Sequence, residues 1–217
     1  MTDTTPSQAD IAEFEAEFAD QLALAADAQD LLFRTARTAN SFSDEPVSEE
    51  QIKAIYDLVK YAPTAANSQP LRIAFVRSPE AKERLLPLMS EGNRAKTGTA
   101  PVVAILAADR DFHEEMPRVF PHVGETMRDS LAQNDEARAG MARLSAGLQI
   151  GYFIIGIRAA GLAAGPMAGF DAEGIAREFF PDGKHEVLVV VNIGQPGENP
   201  WFDRNPRLGF DEVATIL

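Results

Sequence analysis

Cysteine is absent from the 217 residues, which excludes thiol nucleophiles, disulfide scaffolds and thiolate metal sites and fits a reducing compartment. Histidine is scarce, and none of the three has zinc-ligand spacing. Positive charge is short as well. Only 20 Lys and Arg stand against 33 Asp and Glu, a net charge of -13, so neither nucleic acid nor an anionic membrane is the expected partner. The opening "MTDTTPSQAD" has no basic start and no apolar core, which argues against a secretory signal. No later segment reads as long and apolar enough to span a bilayer. The expectation is a cytoplasmic protein without metal, in which any anion is held by a local site.

What is present reads as α/β. A chain of this length buries a large core without staples. Residues 1–30 carry eight of the acidic groups and no Lys or Arg; Ile11, Phe14, Phe18 and Leu22 recur there at helical spacing, so this segment is expected to be a helical appendage to a domain spanning 31–217. Ser48-Glu-Glu-Gln51 is a capping box opening a helix that should stop near Pro63. "LRIAFVR" (71–77) reads as a strand closed by Ser78, with Pro79 opening the next helix. "VVAILAA" (102–108) and "EVLVVVNIG" (186–194) are nearly unbroken apolar runs, expected as central strands covered on both faces. The longest helix is expected from Asp135 to Ala160 with Gly161 as its stop. Its second half, "LQIGYFIIGIRAAG", is apolar nearly all round, so burial on every side is expected, through the middle of the molecule or across a subunit interface.

Five polar loops punctuate this scaffold: "ARTANSFSDEPV" (36–47), "APTAANSQP" (62–70), "GNRAK" (92–96), "GPMAGF" (165–170) and "RNPRLGFDEV" (204–213). Each alone has an ordinary explanation as a cap, turn or solvated charge. In this order the set resembles the nitroreductase-like family of FMN-dependent oxidoreductases, over roughly residues 31 to 217. The phrases "ARTANSF", "PEAKERL", "FPH", "GPMAGFD" and "RLGFDE" further resemble the malonic semialdehyde reductases of the pyrimidine ring-opening pathway.

The resemblance implies a mixed central sheet surrounded by helices, and a homodimer with two FMN sites, each lined by both chains. Matching positions assign FMN contacts to Arg37, Thr38 and Asn40, to Pro63, Thr64, Asn67 and Gln69, to Asn93 and Lys96, to the turn Gly165, Pro166, Met167, Ala168 and Gly169, and to Arg207. Arginine offers a phosphate a planar, permanently charged fork. Amides together with Lys96 suit the alternating acceptors and donor of a flavin pyrimidine. Ala36 stands where relatives have an arginine, and Asn40 where they have Arg or Lys, which shifts phosphate neutralisation to Arg207 with help from Arg204 or Arg37.

The activity implied is ping-pong hydride transfer from NADPH or NADH through flavin N5 to a small carbonyl such as 3-oxopropanoate (malonic semialdehyde). The alternatives are a broad nitro- or quinone-reductase and, from another class, a non-catalytic flavin- or partner-binding module. Arg118 and His122, in the lid region 110–134, are candidate substrate contacts. Ser145 has no accompanying histidine motif and reads as a packing residue rather than a nucleophile.

Overall fold

The computed structural model describes residues 21–217. The appendage helix expected around Ile11, Phe14 and Phe18 therefore lies outside the described residues, while Leu22 is exposed. The chain divides into two units, Thr38–Pro200 and a second made of Met1–Arg37 with Trp201–Leu217.

The larger unit is built on four strands: β1 (Leu71–Val76), β2 (Val102–Asp109), β3 (Ala163–Met167) and β4 (His185–Gly194). Their order is β1-β2-β4-β3, so the two unbroken apolar runs are the two central strands, as expected. Every pairing between named strands is antiparallel. The parallel component of the sheet is confined to an isolated bridge between Thr38 and Ala164. Helices surround the sheet: α1 (Glu49–Val59), α2 (Pro79–Leu85), α3 (Glu91–Thr99), α4 (Gly124–Ala132), α5 (Asp135–Ala159) and α6 (Ala172–Phe179).

Local chemistry sets the helix ends. Ser48 and Gln51 form the reciprocal capping box at α1. Ser78 accepts from Ala81 N–H at 3.2 Å, and Pro79 fills the first position of α2. At Leu86 α2 gives way to one 3-10 turn, Leu86–Leu88, where Pro87 has no N–H to give. Gly161 stops α5 at φ +73°, with Leu162 N–H closing back on Ile157 O at 3.1 Å.

Alternation along β2 and β4 divides the core. Val102, Ala104, Leu106, Val191 and Ile193 face Ile52 and Ile55 of α1 and Ile150, Phe153 and Ile157 of α5. Val103, Ile105, Ala107 and Val190 face Leu85, Met89 and Ile175. A third cluster, Phe112, Met116, Ala142 and Ala146 with Ala108, closes the end where β2 runs into the lid region.

One expectation about α5 needs correction. By length and composition alone this helix is apolar enough to cross a membrane, contrary to the sequence reading. Its hydrophobicity is used instead to pack Ala142, Ala146, Ile150, Phe153 and Ile157. Within the single chain its second half is covered on one side, with Leu148 and Tyr152 44% and 45% exposed and Leu144, just before it, 65% exposed; of the two expected courses, this fits the one across a subunit interface rather than the one through the middle of the molecule. Around the exposed Gly147 and Gly151 nothing stands within 4 Å of where a Cβ would be.

The smaller unit is mostly irregular. One helical turn, Ala26–Gln29, widens into a π turn, Asp30–Arg34, which Arg34 braces through Gln29 Oε1 and an ion pair to Asp30 at 3.2 Å. Arg204 donates to Arg34 O. Phe202, Leu208, Phe210 and Val213 are exposed.

Candidate functional site

The sheet edge at β3 gathers three of the polar loops. Ala39 N–H donates to Ala164 O at 3.0 Å, so the first loop runs beside β3. Asn40 is half-buried there, and its Oδ1 stands 3.5 Å from Lys96 Nζ. Asn93 and Lys96 are three residues apart on α3 and share a face. Asn93 Nδ2 donates to Gly169 O at 2.8 Å, which ties α3 to the turn after β3. The closeness requires glycine at Gly165, where a Cβ would stand 2.8 Å from Ala39 O, a backbone atom; one at Gly169 would stand 2.8 Å from Asn93 Nδ2 and displace that side chain.

The structure thus brings Thr38, Asn40, Asn93, Lys96 and Gly165–Gly169 together, although the expected turn begins later than read: Gly165, Pro166 and Met167 are the end of β3, paired with β4, and only Ala168 and Gly169 lie beyond it. Pro166 is half-buried, Ala168 exposed and Met167 buried. Met167 Sδ lies 3.8 Å from Thr97 Oγ1 and 3.9 Å from Asn192 Nδ2, beneath this edge. Among the described residues Lys96 makes no ion pair, although acids outnumber bases in the chain. A cation held by an amide rather than a carboxylate keeps its charge available to a ligand.

The second loop sits at the opposite edge, leading into β1. Three strand spacings, about 14 Å, separate the two edges. Ala66, Asn67 and Gln69 have φ of 50°, 52° and 45°. This left-handed conformation costs about 1–2 kcal/mol for an ordinary side chain, asparagine being the most tolerant, and such strain concentrates at functional sites. Gln69 Nε2 donates to Asn67 Oδ1 at 3.0 Å, and Asn67 Nδ2 donates to Val119 O at 2.8 Å. Gln69 N–H reaches Thr64 Oγ1 at 3.3 Å. Pro63 is exposed and Thr64 half-buried.

In the smaller unit Arg37 is half-buried and makes no ion pair among the described residues. Arg207 is exposed and donates to Asn205 O and Pro206 O, at 2.9 and 3.2 Å. Among the described residues neither guanidinium is paired with a carboxylate, the state an anion site requires.

A profile described as the Nitroreductase family matches residues 33–195. The chain belongs to that family. A Streptomyces coelicolor protein provisionally named an NADH dehydrogenase/NAD(P)H nitroreductase is 60% identical over 190 residues, covering 88% of this chain and 96% of that protein. A Ralstonia nicotianae protein with the same provisional name is 48% identical over 189 residues, covering 87% and 95%. Among solved structures, a provisionally assigned nitroreductase from Exiguobacterium sibiricum in complex with FMN shares the fold at a TM-score of 0.76 and 20% identity, over 89% of this chain and 98% of that one.

In this nitroreductase-family chain the lid region carries a 3-10 turn Phe112–Glu115, a helical turn Met116–Val119, and α4. Between it and β1 lies a cavity of 640 Å³, lined in part by Gln69, Arg72, Ile73, Arg118 and Gln149. Arg118 is 75% exposed and pairs with Glu115 at 2.7 Å. His122 is exposed, its ring edge-on to Phe120 with 6.2 Å between centroids. Neither side chain is held by a buried partner. The sequence reading overlooked Arg72, which donates to Gln69 O at 2.9 Å while paired with Asp109 at 2.8 Å, and it overlooked Gln149. Nothing in a sequence distinguishes such backbone braces from solvated side chains.

Proposed function

We propose that the chain is an FMN-dependent NAD(P)H oxidoreductase acting as a homodimer on a small carbonyl compound, with 3-oxopropanoate, reduced to 3-hydroxypropanoate, as the favoured substrate. The observation that carries the flavin reading is the convergence of Asn40, Asn93 and the segment Gly165–Gly169 beside Lys96, a cation without a carboxylate partner among the described residues. When bound, FMN supplies hydride transfer through its N5. The protein's part is binding and charge. Arg207 and Arg37 meet the phosphate, Asn40 and Gln69 meet polar edges of the ring system, and Lys96 holds positive charge where reduction places a negative one. Family membership and the naming of its relatives favour this enzyme over a non-catalytic flavin- or partner-binding module.

Two features support a dimer with shared sites. The second loop lies a full sheet width from the other motifs, so a second copy is the economical source of Thr64, Asn67 and Gln69 for a given flavin. Leu144, Leu148 and Tyr152 form an exposed apolar stripe with glycines between them, suited to close approach of a symmetry-related helix. Residues 31–217 then form the flavin domain and 1–30 an appendage. The cytoplasmic location expected from sequence agrees with a nicotinamide co-substrate.

The carbonyl preference rests on the phrase-level resemblance. Arg118 supports it, because an exposed pair three residues apart contributes little and is readily exchanged for a substrate carboxylate. The names of the relatives favour a second reading, a broad nitro- or quinone-reductase. A substrate panel followed by NADPH and NADH oxidation decides: the highest kcat/KM is expected with 3-oxopropanoate, and a clear preference for nitroaromatics or quinones would install the second reading.

A direct check of the phosphate assignment is Arg207→Ala. A charge-assisted bond contributes about 1.5–3 kcal/mol, so FMN affinity should fall by about tenfold or more with the melting curve of the FMN-free protein unchanged. Unaltered affinity in a fluorescence titration removes Arg207 from the site.

A further inference from the structure

We infer that Ser145 and Gln149 are positioning residues that hold the loop Thr64–Leu71 in its cofactor-binding shape. The inference rests on the flavin reading above and concerns side chains that do not themselves meet the cofactor.

The loop has a problem to solve. With Ala66, Asn67 and Gln69 all left-handed, neither a helix nor a strand accounts for all its backbone donors, and a donor left unpaired under protein is costly. Helix α5 supplies two acceptors. Ser145 Oγ accepts from Ala65 N–H at 3.3 Å and stands 3.5 Å from Ser68 Oγ, in a spot where Ser145 is 0% and Ser68 2% exposed. Gln149 Oε1 accepts from Leu71 N–H at 3.0 Å. Leu71 opens β1, an edge strand whose neighbour in the sheet is β2. Ser145 and Gln149 are four residues apart and therefore on one helix face, so a single helix grips the loop at its start and at its end. That helix is fixed by Phe153 and Ile157 in the core beneath it. Between the two grips lie Asn67 and Gln69, the side chains assigned to the flavin. The burial of Ser145, with no histidine bonded to it among the described residues, leaves its hydroxyl this role rather than nucleophilic attack.

The test uses the full chain with FMN removed and restored. Ser145→Ala combined with Gln149→Leu should weaken FMN binding by about tenfold, as expected for two lost bonds at a preorganised loop, and should move the midpoint potential of the bound flavin. Gln149→Leu alone should show part of the effect. Gln149→Glu, which keeps an acceptor for Leu71 N–H, should restore affinity and potential towards wild type. A purely structural role would lower the melting temperature in the Leu variant while leaving affinity and potential in place, and that result overturns the inference. If the double variant does not fold, the comparison of Gln149→Leu with Gln149→Glu decides alone. Wild-type protein that takes up no FMN sinks the flavin reading and the inference together; tight wild-type binding with unaffected variants sinks the inference only.

Discussion

Replacing Leu148 by glutamate should convert the proposed dimer to a monomer. Leu144, Leu148 and Tyr152 recur every four residues on α5 and are each at least 44% exposed in the single chain, so they form one stripe rather than scattered apolar spots. Fully burying such a side chain contributes about 1.5–3 kcal/mol, and a two-fold axis makes every contribution count twice. The same symmetry doubles the damage, because each introduced carboxylate would be desolvated close to its own copy. Sedimentation velocity should show a halved mass. FMN should be lost in parallel, since Thr64, Asn67 and Gln69 of one copy serve the flavin of the other in the proposed arrangement. A wild-type monomer, or a Leu148→Glu variant that stays dimeric, removes α5 from the interface.

The second large effect is expected at Lys96. Replacing it with alanine should lower the midpoint potential of the bound flavin, because the charge it offsets arises on reduction. At about 4 Å and an effective dielectric near 20 a full charge interaction is about 4 kcal/mol. Half exposure reduces this, and about 1.4–4 kcal/mol corresponds to about 30–85 mV for a two-electron couple. Potentiometry should therefore show a downward shift in that range with oxidised FMN still bound. An unchanged or raised potential would make Lys96 a solvated charge that happens to sit near Asn40.

The parts of the fold that were legible in the sequence are those set locally. The Ser48 box, the Ser78-Pro79 start and the Gly161 stop depend on groups within a few residues of one another, and the structure has all three. β2 and β4 were legible as central strands because burial on both faces leaves an unbroken apolar run. The strand order was not, since pairing is decided by partners far apart in the chain. Whether Leu148 and Tyr152 are covered within the chain or across a subunit interface was left open for a related reason: apolar periodicity reports that a face needs covering, and is silent on whether its own chain covers it. In the proposed site, the amides and cations come from a set of five ordered loops that the sequence offers. Their supports were not legible. Ser145 and Gln149 act on backbone groups 80 and 78 positions away, and a backbone N–H leaves no letter in the sequence.

The two ends of the lid region are stapled to each other. Asn134 caps α5 by accepting from Ala137 N–H at 3.0 Å, and Arg138, in the first turn, donates to Arg110 O at 2.9 Å, just beyond the end of β2. Everything between is an excursion from a closed base. Closing a loop costs only about 0.6 kcal/mol more for each doubling of its length, so added length is tolerated at the exposed turn Pro121–Val123, but not at Phe112 or Met116, which are fully buried in the core, nor in α5, with core contacts, loop grips and exposed stripe all in register. In the proposed arrangement a lineage changing its substrate has one inexpensive place to vary: that turn, next in sequence to the Arg118 and Val119 wall of the 640 Å³ cavity, can be lengthened or rebuilt while Val119 O keeps its bond from Asn67.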